Sequence, residues 1–184
     1  MNETLKIITE RYSCRDFTGE ALKDAEVNAL VEAALAAPSG MNRQPWHVII
    51  VNDKSLIDEL DVEAMRILAA AEDKSGYERI KSRGGKVYYN APCMVLVTSD
   101  SSDFAALDCG ILSENVALAA ASLGLGSVIC GMAGIPLSGG PREEEFKKRL
   151  KFPDGYRFGI AVLVGAAKSG KEPHELDRGK VTYI

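Results

Sequence analysis

The chain has 184 residues, enough for one domain with a real hydrophobic core and short of a comfortable two. Apolar residues make up 46% and charged residues 26%, and the formal net charge of −4 gives no overall basic field for nucleic acid or an anionic membrane. No apolar run approaches the roughly 20 residues of a membrane span, and MNETLKIITERYS lacks a signal-peptide core, so a cytoplasmic protein is expected.

Residues 3–11 carry Leu5, Ile7 and Ile8 and predict a short helix. Residues 24–37 predict a clearer one, with Val27, Leu30, Val31, Ala34 and Leu35 at helical spacing, stopped by Pro38. PSGMNRQP is a loop bounded by breakers, and WHVIIV (46–51) is a β-branched strand. Asp53 starts a helix running to about residue 74. Residues 75–90 are polar, basic and glycine-containing and predict an exposed excursion or lid. CMVLVT (93–98) is a buried strand. Residues 103–123 form the longest helix, apolar around much of its circumference and therefore expected to be buried on more than one side.

GSVICGM (126–132) predicts a short strand followed by a loop. The helix over 142–150 places Glu143, Glu144 and Glu145 first and Lys147, Lys148 and Arg149 last, as the helix dipole favours. FGIAVLVG (158–165) is a further strand, and the polar tail ends in VTYI, which could add an edge strand. With no repeat or linker, residues 1–184 read as a single α+β domain: helices around a mixed sheet of four or five strands.

Four segments carry candidate chemistry. In Arg11-Tyr12-Ser13-Cys14-Arg15, two arginines and a hydroxyl alternate, so an extended backbone puts them on one side as a phosphate clamp; a solvated basic stretch is the alternative. Pro38-Ser39-Gly40-Met41-Asn42-Arg43-Gln44-Pro45-Trp46 offers amide donors and acceptors to a flat heterocycle, or is simply a helix stop and turn. Gly124-Leu125-Gly126-Ser127 is not a dinucleotide fingerprint, because its glycines follow a helix and open a strand. Gly124 reads as a helix cap, and the backbone amides at Cys130 and Gly131 are left to face a ligand. The tail, with His174, Arg178 and Lys180, could bring a cation to an anion or stay solvated. The four cysteines, at 14, 93, 109 and 130, contain no C-x-x-C and read as reduced thiols, and with only His47 and His174 a zinc site has little to draw on.

The ordered set R-x-S-x-R, A-P-S-x-x-N-x-Q-P-W, N-A-P before a strand (Asn90-Ala91-Pro92) and L-G-L-G-S after a long helix resembles the FMN-dependent nitroreductase family. The resemblance spans nearly the whole chain and is poorest at 54–89 and 133–152. It implies a three-layer sandwich with a mixed, mostly antiparallel sheet, forming an intimate, domain-swapped-type homodimer with two FMN molecules at the interface. It implies that Arg11 and Ser13, flanking Tyr12, hold the FMN phosphate, and that Arg15 reaches the ring near N1 and O2. Pro38, Ser39, Gly40 and Asn42 match the loop that reaches the flavin from the partner subunit, while Gln44 and Trp46 order that loop. Ile129, Cys130 and Gly131 match the stretch whose amides meet N5 and O4, with Cys130 standing where many relatives carry an acidic residue. Arg178 or Lys180 matches a basic phosphate ligand, with His174 competing.

A guanidinium near N1 and O2 favours the reduced flavin. The implied activity is hydride transfer from NADH or NADPH to FMN and then to a nitroaromatic, quinone or similar acceptor by a ping-pong mechanism, with no catalytic side chain and no metal required. Alternatives on the same fold are a reductive dehalogenase, an enoate reductase or a non-catalytic flavin carrier.

Overall fold

Local capping sets where the helices begin. In the computed structural model, which describes residues 1–184, the Asn2 side chain accepts from Leu5 N to start α1 (Glu3–Glu10). Glu26 reaches back to Lys23 N at the start of α2 (Asp24–Leu35), and Asp53 accepts from Ser55 N and Leu56 N to start α3 (Lys54–Ala70). A short α4 (Ser75–Lys81) follows, then the long α5 (Ala105–Ser122) and α6 (Glu143–Arg149). The strands are β1 (Trp46–Val51), β2 (Cys93–Ser99), β3 (Gly126–Ile129) and β4 (Arg157–Gly165).

The sheet order is β1-β2-β4-β3 and every ladder is antiparallel, with Val48 opposite Val97, Val95 opposite Val162, and Val128 opposite Leu163. A parallel bridge between Ser13 and Ser127 attaches the segment after α1 to β3, and an antiparallel one between Phe17 and Ala167 attaches it to the chain just past β4. The four-stranded sheet is therefore antiparallel throughout rather than mixed, the one parallel pairing being the isolated Ser13–Ser127 bridge.

Strand alternation sends β2 and β4 side chains to two cores. Met94, Leu96, Ala161 and Leu163 pack with Ile57 and Leu60 of α3 and Phe146 of α6. Cys93, Val95, Val97, Val162 and Val164 pack with Leu30 and Ala34 of α2 and Cys109, Leu112 and Val116 of α5. The result is helix, sheet, helix in three layers. α5 is covered by the sheet on one side and by α2 on another, where Asn115 Nδ2 donates to Ala33 O.

Two expectations need correction. Residues 75–90 are not a wholly exposed excursion: Ile80, Val87 and Tyr88 are buried in the core beside α3. Apolar residues spaced among charges hid that anchoring. The terminal VTYI is exposed and pairs with nothing, because Tyr12, Ser13 and residues 166–168 already occupy the neighbourhood of the β3 edge; only a 3-10 turn at Arg178–Lys180 forms, held by the Asp177 side chain.

Candidate functional site

The segment after α1 is stitched to the sheet by backbone hydrogen bonds. Cys14 N donates to Ser127 O at 2.8 Å, Thr18 N to Ala166 O at 3.0 Å, and Lys168 N to Asp16 O at 2.9 Å. Extended backbone alternates its side chains, so Cys14 points into the core at 1% exposure while Ser13 and Arg15 point out. Gly126 permits this docking: a Cβ there would meet Cys14 Cβ and Sγ at 2.9 Å. Gly165 likewise leaves room for Pro92, 2.5 Å from an added Cβ, which accounts for the proline before β2.

Outside this segment lies a two-lobed cleft. Arg11, Tyr12, Ser13 and Arg15 line a lobe of about 370 Å³ with Lys171 to His174 of the tail. Tyr12, Ser13 and Arg15 line a second lobe of about 640 Å³ with Asp16, Arg83, Ser169 and Lys171. Both volumes fall in the ~300–1,000 Å³ range of small-molecule sites. Tyr12 ties the tail down, its hydroxyl donating to Ser169 O at 3.3 Å.

The cleft collects more cations than acids: Arg11, Arg15, Arg83 and Lys171 against Asp16 and Glu172. Arg15, Arg83 and Lys171 form no ion pair, whereas Arg66, Arg142 and Arg149 are all paired on helices elsewhere. Arg11 has one acidic neighbour, Glu114 Oε1 at 3.4 Å from Nε, yet that buried Nε has no hydrogen-bond acceptor. A buried donor without an acceptor is costly and asks for one. In a chain of net charge −4, this convergence gives a local positive field that suits an anion.

The loop from residue 38 to 45 stands elsewhere on this chain. Ser39 Oγ accepts from Gln44 N, Gln44 Nε2 donates to Asn42 Oδ1, and Gly40 N donates to Asp108 Oδ1 on α5. Met41, Asn42 and Gln44 all adopt left-handed backbone, with φ of 51°, 54° and 48°. Three non-glycine residues there store strain, a feature that clusters at ligand sites. Pro38, Ser39 and Gly40 line an apolar hollow with Phe104, Leu107 and Ile111, sharing no residue with the two-lobed cleft. Gln44 is hydrogen-bonded within the loop, and Trp46 is buried at the start of β1.

At the end of β3, Cys130 N donates to Ala161 O at 2.7 Å, so its amide is spent within the sheet and is not available to a ring nitrogen, contrary to expectation. Gly131 opens a 3-10 turn over Gly131–Leu137, so its amide has no partner inside that turn, and Ile129 at the strand end is 40% exposed. Burial pushes the Cys130 thiol up, partly offset by the Ala133 and Met132 amides and by the charge of Arg15.

The model of the Nitroreductase family matches residues 8–166. The chain belongs to the nitroreductase family. It is similar in structure to a nitroreductase with bound FMN from Desulfitobacterium hafniense DCB-2, at a TM-score of 0.97 and 52% identity, covering 100% of this chain and 99% of that one. A nitroreductase with bound FMN from Bacteroides fragilis NCTC 9343 gives a TM-score of 0.90 at 28% identity over 100% of both chains. Among curated relatives, the FMN reductase (NADPH) of Bacillus subtilis strain 168 is 28% identical over 186 residues, covering 94% of this chain and 70% of that protein.

This nitroreductase-family chain therefore brings some of its sequence-marked residues together and leaves others apart. Arg11, Tyr12, Ser13 and Arg15 share the cleft with His174, while Arg178 and Lys180 sit on their exposed turn and do not line it. Arg83 and Lys171 were not singled out in the sequence. The one available signal was the basic character of residues 79–86, which does not say which cation turns inward. Asp108, the anchor for Gly40, was hidden as one of two acids in a largely apolar helix. No helix is long and apolar enough to cross a membrane.

Proposed function

We propose that this chain is an NAD(P)H-dependent FMN oxidoreductase that reduces small organic acceptors, nitroaromatics and quinones among them, by a ping-pong mechanism. The observation that carries the reading is the convergence of Arg11, Ser13, Arg15, Lys171 and His174 on one cleft. A phosphate dianion supplies counter-charge to the arginines and lysine and acceptors for their N–H groups and the Ser13 hydroxyl, so the residues present fit a phosphate-bearing flavin.

In this reading Arg11, Ser13 and His174 hold the phosphate, with Lys171 at the rim. Arg15 lies between the lobes and places a fixed positive charge where the ring gains negative charge. The Gly131 amide is the N5 donor in place of the Cys130 amide. When bound, FMN supplies two-electron acceptance from the nicotinamide and release to the acceptor. The wider lobe stays open for both partners in turn, and Arg83 gives its rim a cation for a negatively charged acceptor.

A second copy of the chain completes the site. The strained 38–45 loop and the exposed Leu35, Met41, Phe104 and Leu107 form an apolar surface around the hollow at the start of α5. Burying it in a homodimer removes that surface from water and presents the loop's amides to a flavin on the partner.

The absorption spectrum of the purified protein, before and after each nicotinamide, tests the function. A flavin spectrum bleached by NADH or NADPH, then restored by a nitroaromatic or quinone, is expected. A colourless protein that takes up no added FMN overturns the reading, and so does a bound flavin that neither nicotinamide bleaches. Sedimentation giving a stable monomer with FMN bound overturns the composite site.

A further inference from the structure

Asp61 lies in the middle of α3, 5% exposed, and makes no ion pair. A buried carboxylate without a cation is costly unless its hydrogen bonds do something specific. Its Oδ1 accepts from Val87 N at 2.7 Å and from Tyr88 N at 3.2 Å, across 26 and 27 residues of sequence. Tyr88 is fully buried, and its hydroxyl donates to Ala133 O at 2.8 Å. Ala133 is two residues past Gly131 in the same 3-10 turn. Its N–H closes back onto Cys130 O at 3.4 Å, and the Cys130 thiol faces Val87 O at 3.9 Å.

The sequence explains why a tyrosine is needed. In a 3-10 turn the carbonyl of Ala133 would be satisfied by the N–H three residues on, but that residue is Pro136, which has none. The Tyr88 hydroxyl replaces the missing donor. A chain of hydrogen bonds therefore runs from α3, through residues 87 and 88, into the turn that opens at Gly131.

We propose that the Gly131 amide is turned to the flavin, that Asp61 and Tyr88 are positioning residues that fix it there, and that they so set the midpoint potential of the bound FMN. This rests on the FMN reading of the site. Losing a hydrogen bond to N5 destabilises the oxidised ring, so loosening this strut raises the potential.

The test uses full-length protein loaded with FMN. Tyr88→Phe keeps the ring in the core and removes the hydroxyl. It is expected to shift the oxidised-to-reduced equilibrium about fivefold toward reduced, the worth of one typical hydrogen bond. Amide exchange at Ala133 in the FMN-free protein is expected to quicken by a similar factor. Adding Pro136→Ala to Tyr88→Phe returns an N–H donor to Ala133 O and is expected to restore both readouts. Asp61→Asn keeps an oxygen for both amides and is expected to leave the potential within twofold of the parent.

A Tyr88→Phe protein that melts earlier but keeps both its potential and its Ala133 exchange overturns the proposal, since the hydroxyl then serves stability alone. An Asp61→Asn shift as large as that of Tyr88→Phe also overturns it, because charge rather than position would be acting. If Tyr88→Phe does not fold, the double variant must fold with the parent's potential, and its failure to do so overturns the proposal too. Parent protein that binds no FMN refutes the function reading instead, while the exchange measurement still judges the strut.

Discussion

Arg11→Ala tests the phosphate assignment most directly. The side chain is 19% exposed, its Nε is buried with no acceptor, and its only ionic neighbour is Glu114, itself 45% exposed. Two effects compete. Removing Arg11 frees Glu114, but a half-exposed pair at 3.4 Å is worth at most about 1 kcal/mol and Glu114 can hydrate, so the fold loses little. Removing a charge-assisted hydrogen bond to phosphate costs about 1.5–3 kcal/mol, which raises the FMN dissociation constant roughly 10- to 150-fold. Binding should therefore fall far more than stability. Fluorescence titration of FMN into stripped protein, beside a thermal melt, separates the two. An affinity within twofold of the parent, with the melt unchanged, would refute the assignment. Glu114→Gln sharpens the test: it removes the competing negative charge, and FMN should bind at least as tightly as before.

Three further outcomes follow from the same geometry. Arg83→Ala should raise KM for a nitroaromatic carboxylic acid about fivefold, the worth of roughly 1 kcal/mol, and leave a neutral quinone unaffected; equal changes for both in steady-state assays would remove Arg83 from the acceptor site. Gly126→Ala puts a Cβ 2.9 Å from Cys14 and should cost about 1–3 kcal/mol in denaturant unfolding. Because Ser13 moves with Cys14, FMN affinity should fall as well, and a stable variant with unchanged affinity would break that link. Burial holds all four thiols above the ordinary value of 9.0, with Cys93 pushed up to about 12. Their contribution to stability is whole below pH 9 and is lost as pH rises toward 12, since the unfolded chain releases those protons first. Thiol reagent at pH 8 should label native protein slowly and denatured protein at all four cysteines; rapid native labelling would contradict the burial.

Much of this was legible from local pattern. The β-branched runs at 46–51, 93–98 and 158–165 could only be strands, and the alternation in Arg11, Ser13 and Arg15 did put those residues on one side of an extended segment. What was hidden depended on distant partners. The tail's basic residues looked equivalent in sequence. Tyr12 holding Ser169 is what brings His174 and Lys171 to the cleft and leaves Arg178 and Lys180 outside. The Cys130 amide looked available because the extra pairing to Ala161, one residue past the last ladder pair of β3, is a property of register rather than of composition.

The placement of Cys130 bears on what the protein can do with its flavin. An acid at this position would set a negative charge beside the ring; a buried thiol held in its neutral form sets none. Asp61 is tied to the Val87 and Tyr88 amides behind the turn, and the cation lining the cleft in front is Arg15. A neutral neighbour with a cation before it stabilises the ring when it carries negative charge. The expected consequence is a higher midpoint potential than a variant with Cys130→Glu would show. Spectroelectrochemistry of the two proteins decides it, and a Glu variant with an equal or higher potential would show that the thiol's neutrality has no bearing on the ring.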